Sequence, residues 1–336
     1  MKRFIAAICA ASFVLFCASL TGCQKQKEEN ELNVYSIIHD EETKALCDLF
    51  TQQTGIKVNY LRASTGELVN RVISEKNAPQ ADVLLGGATN YHIQAAKEGA
   101  LESYASPIAA DFPAYAKSAD STWTGFCVLT LGIGVNKTRF EQKFPNQKLP
   151  QTWDDLANPV YKNEIVMTNP LASSTAYLFV QNQLQRLGWD KGWEYLIALS
   201  QLVGQFPDSG SAPPKLLGTG EYSIGVAYLH ALAKYKAQGF DIELIAPPQT
   251  VGDVDCISIM KNAQHPNAAK KFVDFILDAP AQGIMAEMTY TIPVNKNANV
   301  MPGSVSLEKI DLIDYDANKA SAEKDEVIKK WSAEVK

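Results

Sequence analysis

The chain has 336 residues, 46% of them hydrophobic and 20% charged, with a formal net charge of −6 at pH 7. It carries no basic run and no interleaving of aromatic with basic residues, which excludes nucleic acid as an expected partner. Its length exceeds what one core organises well, so two lobes of roughly 150 residues each are expected.

The N-terminus reads as an export signal. Lys2 and Arg3 form a basic start, residues 4–20 are apolar, and Leu20-Thr21-Gly22-Cys23 is a small-residue processing site ending in cysteine. This pattern resembles a bacterial lipoprotein signal. It implies removal of residues 1–22, lipid on Cys23, and a chain held at the membrane outside the cytoplasm. Residues 23–32 are polar until Leu32 and read as a flexible tether.

Residues 33–38 alternate and branch like a buried strand. His39 and Asp40 end it, and Glu41 and Glu42 sit in the first turn of a helix, where the macrodipole favours negative charge. Ala45, Leu46, Leu49 and Phe50 repeat at helical spacing up to Gly55, a left-handed C-cap. Residues 56–61 form a second strand, and Ser64-Thr65-Gly66 opens the next helix. A short strand over 81–85 leads into Gly86-Gly87-Ala88-Thr89-Asn90, a loop that lets backbone approach a ligand. Through residue 94 the alternation predicts a parallel sheet covered by helices. In such sheets ligands bind beyond the carboxyl ends of strands, where helix N-termini present free N–H groups. His39, the Ser64 loop and the Gly86 loop lie at three such ends.

Residues 124–136 (TGFCVLTLGIGVN) are too long for an ordinary strand and suit a segment passing from one lobe to the next. Residues 151–170 predict a short capped helix, a loop and a strand. Ser173-Ser174-Thr175 then opens an apolar helix. Hydroxyls there read first as N-caps, and three in a row after a strand read second as an oxyanion seat. Strands follow over 222–228 and 241–247, and 253–260 returns to the first lobe. Residues 265–278 form an amphipathic helix, and the charged C-terminus reads as a surface helix of the second lobe. Of the six cysteines, Cys47, Cys127 and Cys256 fall in the folded part, without the C-x-x-C spacing of a metal or redox motif. Cys47 sits on an inner helical stripe, and an oxidising compartment permits a Cys127–Cys256 disulfide.

In order and spacing, TGIKV, the STGEL loop, ADVLLGG, LPQTWDDLANPVYKNEIVMTNP, GTGEYSIGVAY, HPNAAKKFVDFILDAPAQ and IPVNK resemble the solute-binding proteins of ATP-driven (ABC) importers. The closest branch is the ferric-iron-binding one, which also holds phosphate-ester and phosphonate binders. The resemblance covers nearly the whole mature chain. It implies an α/β, two-lobed periplasmic-binding-protein fold, each lobe a mostly parallel sheet flanked by helices and joined to the other by crossing strands. The first lobe is 33–128 plus 254–298, and the second is 129–253 plus 299–336. It further implies a monomeric, non-enzymatic receptor that closes on a ligand in the cleft. A membrane permease and an ATPase are its partners.

In that branch a histidine follows the first strand, the place of His39. The carboxylate after the ADV strand is replaced by Gly87, and the adjacent tyrosine pair by Val226-Ala227-Tyr228-Leu229-His230. Fe³⁺ favours phenolate and carboxylate oxygen over imidazole. His39, Tyr228 and His230 are the candidate metal set, with Tyr91 and His92 able to complete it, for ferric iron carried as cargo with an anion. No permanent cofactor is implied. Ser64, Thr65 and Gly66 with Ser173, Ser174 and Thr175 match the places where the branch holds a synergistic anion or a substrate phosphate. Iron with an anion is the first expectation, and a phosphate ester or phosphonate without metal is the alternative. A secreted hydrolase is more distant, because no G-x-S-x-G, H-E-x-x-H or paired-carboxylate arrangement stands out.

Overall fold

A computed structural model describes residues 29–335. The signal peptide and Cys23 lie outside the described residues. Part of the expected tether does not: Glu29 accepts hydrogen bonds from Ala268 N at 2.7 Å and Asn267 Nδ2 at 2.9 Å. Strand β1 (Glu31–Ser36) starts two residues before the expected 33, and Leu32 is fully buried. Leu32 therefore belongs to the core, where its burial contributes about 1.5–3 kcal/mol.

The first units follow the expected alternation: α1 (Asp40–Thr54), β2 (Lys57–Arg62), α2 (Thr65–Ser74), β3 (Val83–Ala88) and α3 (Thr89–Lys97). Strand β1 lies between β2 and β3, parallel to both. Gly55 ends α1 at φ 74°, the left-handed cap that glycine adopts without a Cβ penalty. The inner face of α1 packs Phe50 edge-on against Phe272 at 5.0 Å, anchoring the long C-terminal return of the chain to the first sheet.

After the short β4 (Leu101–Glu102), strand β5 (Thr124–Asn136) is a single 13-residue run, buried throughout. It changes partners along its length. Thr124–Thr130 pair antiparallel with β10 (Gly252–Met260). Leu131–Asn136 pair with β8 (Ile224–Tyr228) and β9 (Ile242–Ile245). Beyond β8 lie β6 (Ile165–Val166) and β7 (Val203–Gln205), giving the order β2-β1-β3-β10-β5-β8-β6-β7. The outer ladders are parallel, as expected. The central ones are antiparallel, because β5 and β10 enter as crossing strands of opposite direction, so the sheet is mixed.

The helices of the second half are α4 (Lys137–Lys143), α5 (Ser174–Leu187), α6 (Trp189–Ser200), α7 (Ala212–Gly218) and α8 (Leu229–Ala237). The chain then adds α9 (Pro266–Leu277) and α10 (Ala279–Thr289), the short β11 (Ile292–Pro293), α11 (Ala317–Ala322) and α12 (Lys324–Glu334). The helix expected after residue 151 is instead two 3₁₀ turns, Asp154–Ala157 and Pro159–Tyr161. Asn158 precedes a proline, and that position disfavours helical backbone. The C-terminal segment is two helices rather than one and touches both halves. Tyr177 of α5 donates to Ala320 O at 2.6 Å, while Lys324 donates to Gln94 of α3 at 2.7 Å and lies 4.2 Å from the Tyr91 ring centre.

The Cys127–Cys256 disulfide permitted by sequence is not formed. Cys47, Cys127 and Cys256 are all free and buried, and Cys127 stands opposite Asp255, Cys256 opposite Gly125, on neighbouring strands. Thiol titration of the denatured folded region is expected to find all three, with none reacting before unfolding. A second test addresses β5: a Cβ added at Gly132 would lie 2.1 Å from Leu229 Cδ2 and 2.8 Å from Ile245 O. Gly132→Ala is expected to lower stability by about 1–3 kcal/mol in urea unfolding, because the backbone oxygen cannot give way.

Candidate functional site

The two hydroxyl loops meet. Ser64 caps α2, its Oγ accepting from Glu67 N at 3.4 Å. Thr65 Oγ1 donates across the interior to Ser174 Oγ at 3.3 Å, joining residues 109 apart in sequence. Gly66 N faces Ala172 O at 3.5 Å, and a Cβ on Gly66 would stand 3.0 Å from Leu171 O. Glycine is what permits this approach of two backbones. Ser173 holds the N-cap position of α5 without a capping bond from its side chain. Ser173, Ser174 and Thr175 are nonetheless buried. A third segment, Ser209-Gly210-Ser211, closes over them: a Gly210 Cβ would lie 2.6 Å from Thr175 Oγ1.

These residues line one cavity of about 180 Å³. Two helix N-termini, α2 and α5, aim their first turns into it, and N–H groups at such ends lack intrahelical partners. The same cavity is also lined by Glu42, Asp255, Thr289, Thr291, Tyr228 and His230. The cavity shares His39, Glu42, Arg62 and His230 with a vestibule of about 500 Å³ bordered by Lys215 and Lys234 and equally by Asp40 and Glu41. The uncharged donors within suit an anion held by directional hydrogen bonds.

The three residues expected as metal ligands, His39, Tyr228 and His230, all border this cavity. Tyr228 and His230 stack, ring centres 5.4 Å apart and planes 17° from parallel. The Tyr228 hydroxyl is buried without a hydrogen bond, although Ser174 and Thr175 are its neighbours. Burial, with the charges of His39 and Lys234, pushes the His230 imidazole down to about 3. Burial and the cations Lys234 and Arg62 lower His39 as well. Both rings are neutral near pH 7. Among the described residues, no group of three or more His, Cys, Asp or Glu side chains converges as a metal cage. Tyr91 and His92 do not complete one: both are buried, and both His92 nitrogens are bonded, Nδ1 to Ser258 Oγ at 2.7 Å and Nε2 to Gly86 O at 2.9 Å.

A larger cavity, about 1010 Å³, lies elsewhere, between α3 and the segment around Leu312. The α3 terminus that reaches it is already occupied, since Thr89 N and Oγ1 both donate to Asp253. The second helix start on it, that of α11, is capped by its own Asp316, whose Oδ1 accepts from Lys319 N at 2.9 Å, and no run of adjacent hydroxyls lines it, so the smaller cavity is the better candidate.

Sequence reading missed Glu42 and Asp255. Glu42 looked like an ordinary first-turn carboxylate, and the clue at Asp255 was a second acid within the apolar run GDVDCISIM. Burial, then the nearby charge of Asp255, pushes Glu42 from 4.5 up to about 8. Burial, opposed by a hydrogen bond from Gly87 N and reinforced by Asp253, takes Asp255 from 3.8 to about 7. Both acids hold their protons more tightly folded than unfolded, so their contribution to folded stability declines as pH rises from about 4.5 through about 8. Glu42→Gln is expected to raise Tm relative to the parent at pH 8, and by progressively less toward pH 4.5, in calorimetry across that range. An equal shift at both ends would contradict the assignment.

Residues 45–309 match the family described as bacterial extracellular solute-binding protein. An uncharacterized protein of Haemophilus influenzae is 31% identical over 313 residues, covering 89% of this chain and 90% of its own. Iron uptake protein A1 of Synechocystis sp. is 26% identical over 288 residues, covering 80% and 76%. Among solved structures, the periplasmic binding protein P5PA matches with a TM-score of 0.86 at 34% identity, covering 92% of this chain and 100% of its own. The periplasmic binding protein AfuA from Actinobacillus pleuropneumoniae, with fructose-6-phosphate bound, matches with a TM-score of 0.87 at 31% identity, covering 91% and 98%. The chain therefore belongs to the bacterial extracellular solute-binding proteins, as the periplasmic receptor that serves the permease and ATPase of an ABC importer.

Proposed function

We propose that this receptor binds a phosphate ester or phosphonate, without a metal, in the cavity between its two helix N-termini. The observation that carries this is the Thr65–Ser174 contact, which brings the hydroxyl loops of α2 and α5 together around one small cavity. Ser64, Thr65 and Gly66 form one half of the anion seat, and Ser173, Ser174 and Thr175 the other. Helix termini and hydroxyls hold an oxyanion without burying a cation. The likeness to AfuA, whose structure holds fructose-6-phosphate, supports the same reading.

In this reading the lobes, 33–128 plus 254–298 and 129–253 plus 299–336, close because the ligand touches both, and the closed form is the one the permease recognises. Lipid on Cys23 keeps the receptor at the membrane. Fructose 6-phosphate is expected to raise Tm and to bind in calorimetry, and Ser174→Ala to weaken it roughly tenfold to a hundredfold, the worth of a hydrogen bond to a charged group. Absence of binding by phosphate esters and phosphonates alike would refute the reading.

A second reading is ferric iron held with an anion. It is favoured by the meeting of His39, Tyr228 and His230 at one cavity and by the likeness to iron uptake protein A1. Iron in the purified protein, with a visible tyrosinate-to-iron band, would select it over the first.

A further inference from the structure

The cavity of about 1010 Å³ has no part in the anion site, and it lies on the other face of the crossing strand. Val128 of β5 lines it, whereas the neighbouring Cys127 and Leu129 line the smaller cavity, and successive side chains of a strand point to opposite faces. Backbone bonds hold its walls. On one side, the segment leading to Tyr315 is tied to the approach to β10: Thr250 N donates to Asp311 O at 3.0 Å, and Ile313 N donates to Thr250 O at 2.8 Å. On the other, Ser118 N donates to Trp123 O at 3.1 Å and Trp123 N to Ser118 Oγ at 3.1 Å, closing the turn between them. Its volume is that of a small-molecule site, about 300–1,000 Å³.

Three aromatic side chains line this cavity, Tyr115, Trp123 and Tyr315. Tyr115 is 60% exposed, and Leu312 on the same cavity is 41% exposed, so ring and alkyl surface stand open to an occupant. The Tyr315 hydroxyl is buried and makes no hydrogen bond among the described residues, which is the exception among buried polar groups.

The charges on this cavity are unbalanced. Asp253 is matched by donors from Thr89 and Val254. Asp120 accepts from Thr122 N at 3.2 Å and Thr122 Oγ1 at 2.8 Å, and Asp316 caps α11, yet neither faces a cation. Asp314 is exposed and has no partner among the described residues. Of the two lysines, Lys117 directs its ammonium to Ala109 O at 3.0 Å and Ala110 O at 2.8 Å, which leaves Lys97 as the one cation here without a hydrogen bond among the described residues. Aromatic faces attract a positive charge through the ring quadrupole, and the surplus of carboxylates adds to that attraction.

We propose that this cavity is a second ligand site, for an organic ammonium whose positive group is held against the aromatic walls with Asp314 as its counter-charge. The proposal is independent of which solute the smaller cavity binds. The apolar body of such a ligand covers Leu312, and its charge answers carboxylates that this chain leaves unpaired.

Isothermal calorimetry with choline and with benzyltrimethylammonium tests this on the parent, on Tyr115→Ala and on Asp314→Asn, with 3,3-dimethylbutanol as the uncharged isostere of choline. Both substituted side chains are exposed, and thermal melting verifies that each variant is folded. At least one of the two cations is expected to bind the parent at a single site with a Kd below about 1 mM, and the alcohol on the order of tenfold more weakly than choline or not at all. Each variant is expected to weaken cation binding about threefold to tenfold. Binding of neither cation, equal affinity for choline and the alcohol, or cation affinity unchanged in either variant overturns the proposal.

Discussion

One strand holds the architecture together. The backbone of β5 supplies hydrogen bonds to β10 over its first half and to β8 and β9 over its second, so both parts of the sheet share one ladder. Because it is buried along its whole length, every unpaired group there would carry the full desolvation cost, which fixes the register of both parts. Through β10 and β3 on one side and β8 on the other, that ladder connects to β2 and β6, the strands that precede α2 and α5, where Thr65 and Ser174 meet. The tight glycines on β5 serve the same end: side chains of Leu229, Leu232 and Val254 occupy the space where Cβ atoms would stand.

Charge is distributed through the cleft in a consistent order. Lysine and arginine lie at the vestibule together with Asp40 and Glu41, neutral imidazoles at the cavity edge, and hydroxyls with helix N-termini inside. The inner carboxyls break this order, and burial keeps them protonated to higher pH than ordinary acids.

The outer units of the fold were legible in the chain. The alternation through residue 94, the left-handed cap at Gly55 and the long apolar run of β5 each carry a local physical signature, whether periodicity, backbone conformation or length. The short capped helix expected at the start of residues 151–170 is two 3₁₀ turns, because Pro159 restricts Asn158 to extended backbone, a limit stronger than local capping. The tether was drawn too long, because Glu29 and Leu32 look polar-flanked in sequence and gain partners only from α9 and the first sheet.

For the candidate site the division is sharper. By itself the sequence determined that hydroxyl runs stand at helix N-termini, that His39 follows a strand and that Tyr228 ends one, since capping and strand ends are local properties. The tertiary structure decided that Ser64–Gly66 and Ser173–Thr175 share one cavity, that His92 is a satisfied core residue, and that Glu42 is buried at that same cavity with Asp255 beside it. Those facts depend on contacts between residues far apart along the chain, and burial of a carboxylate is set by what packs over it rather than by its neighbours in sequence.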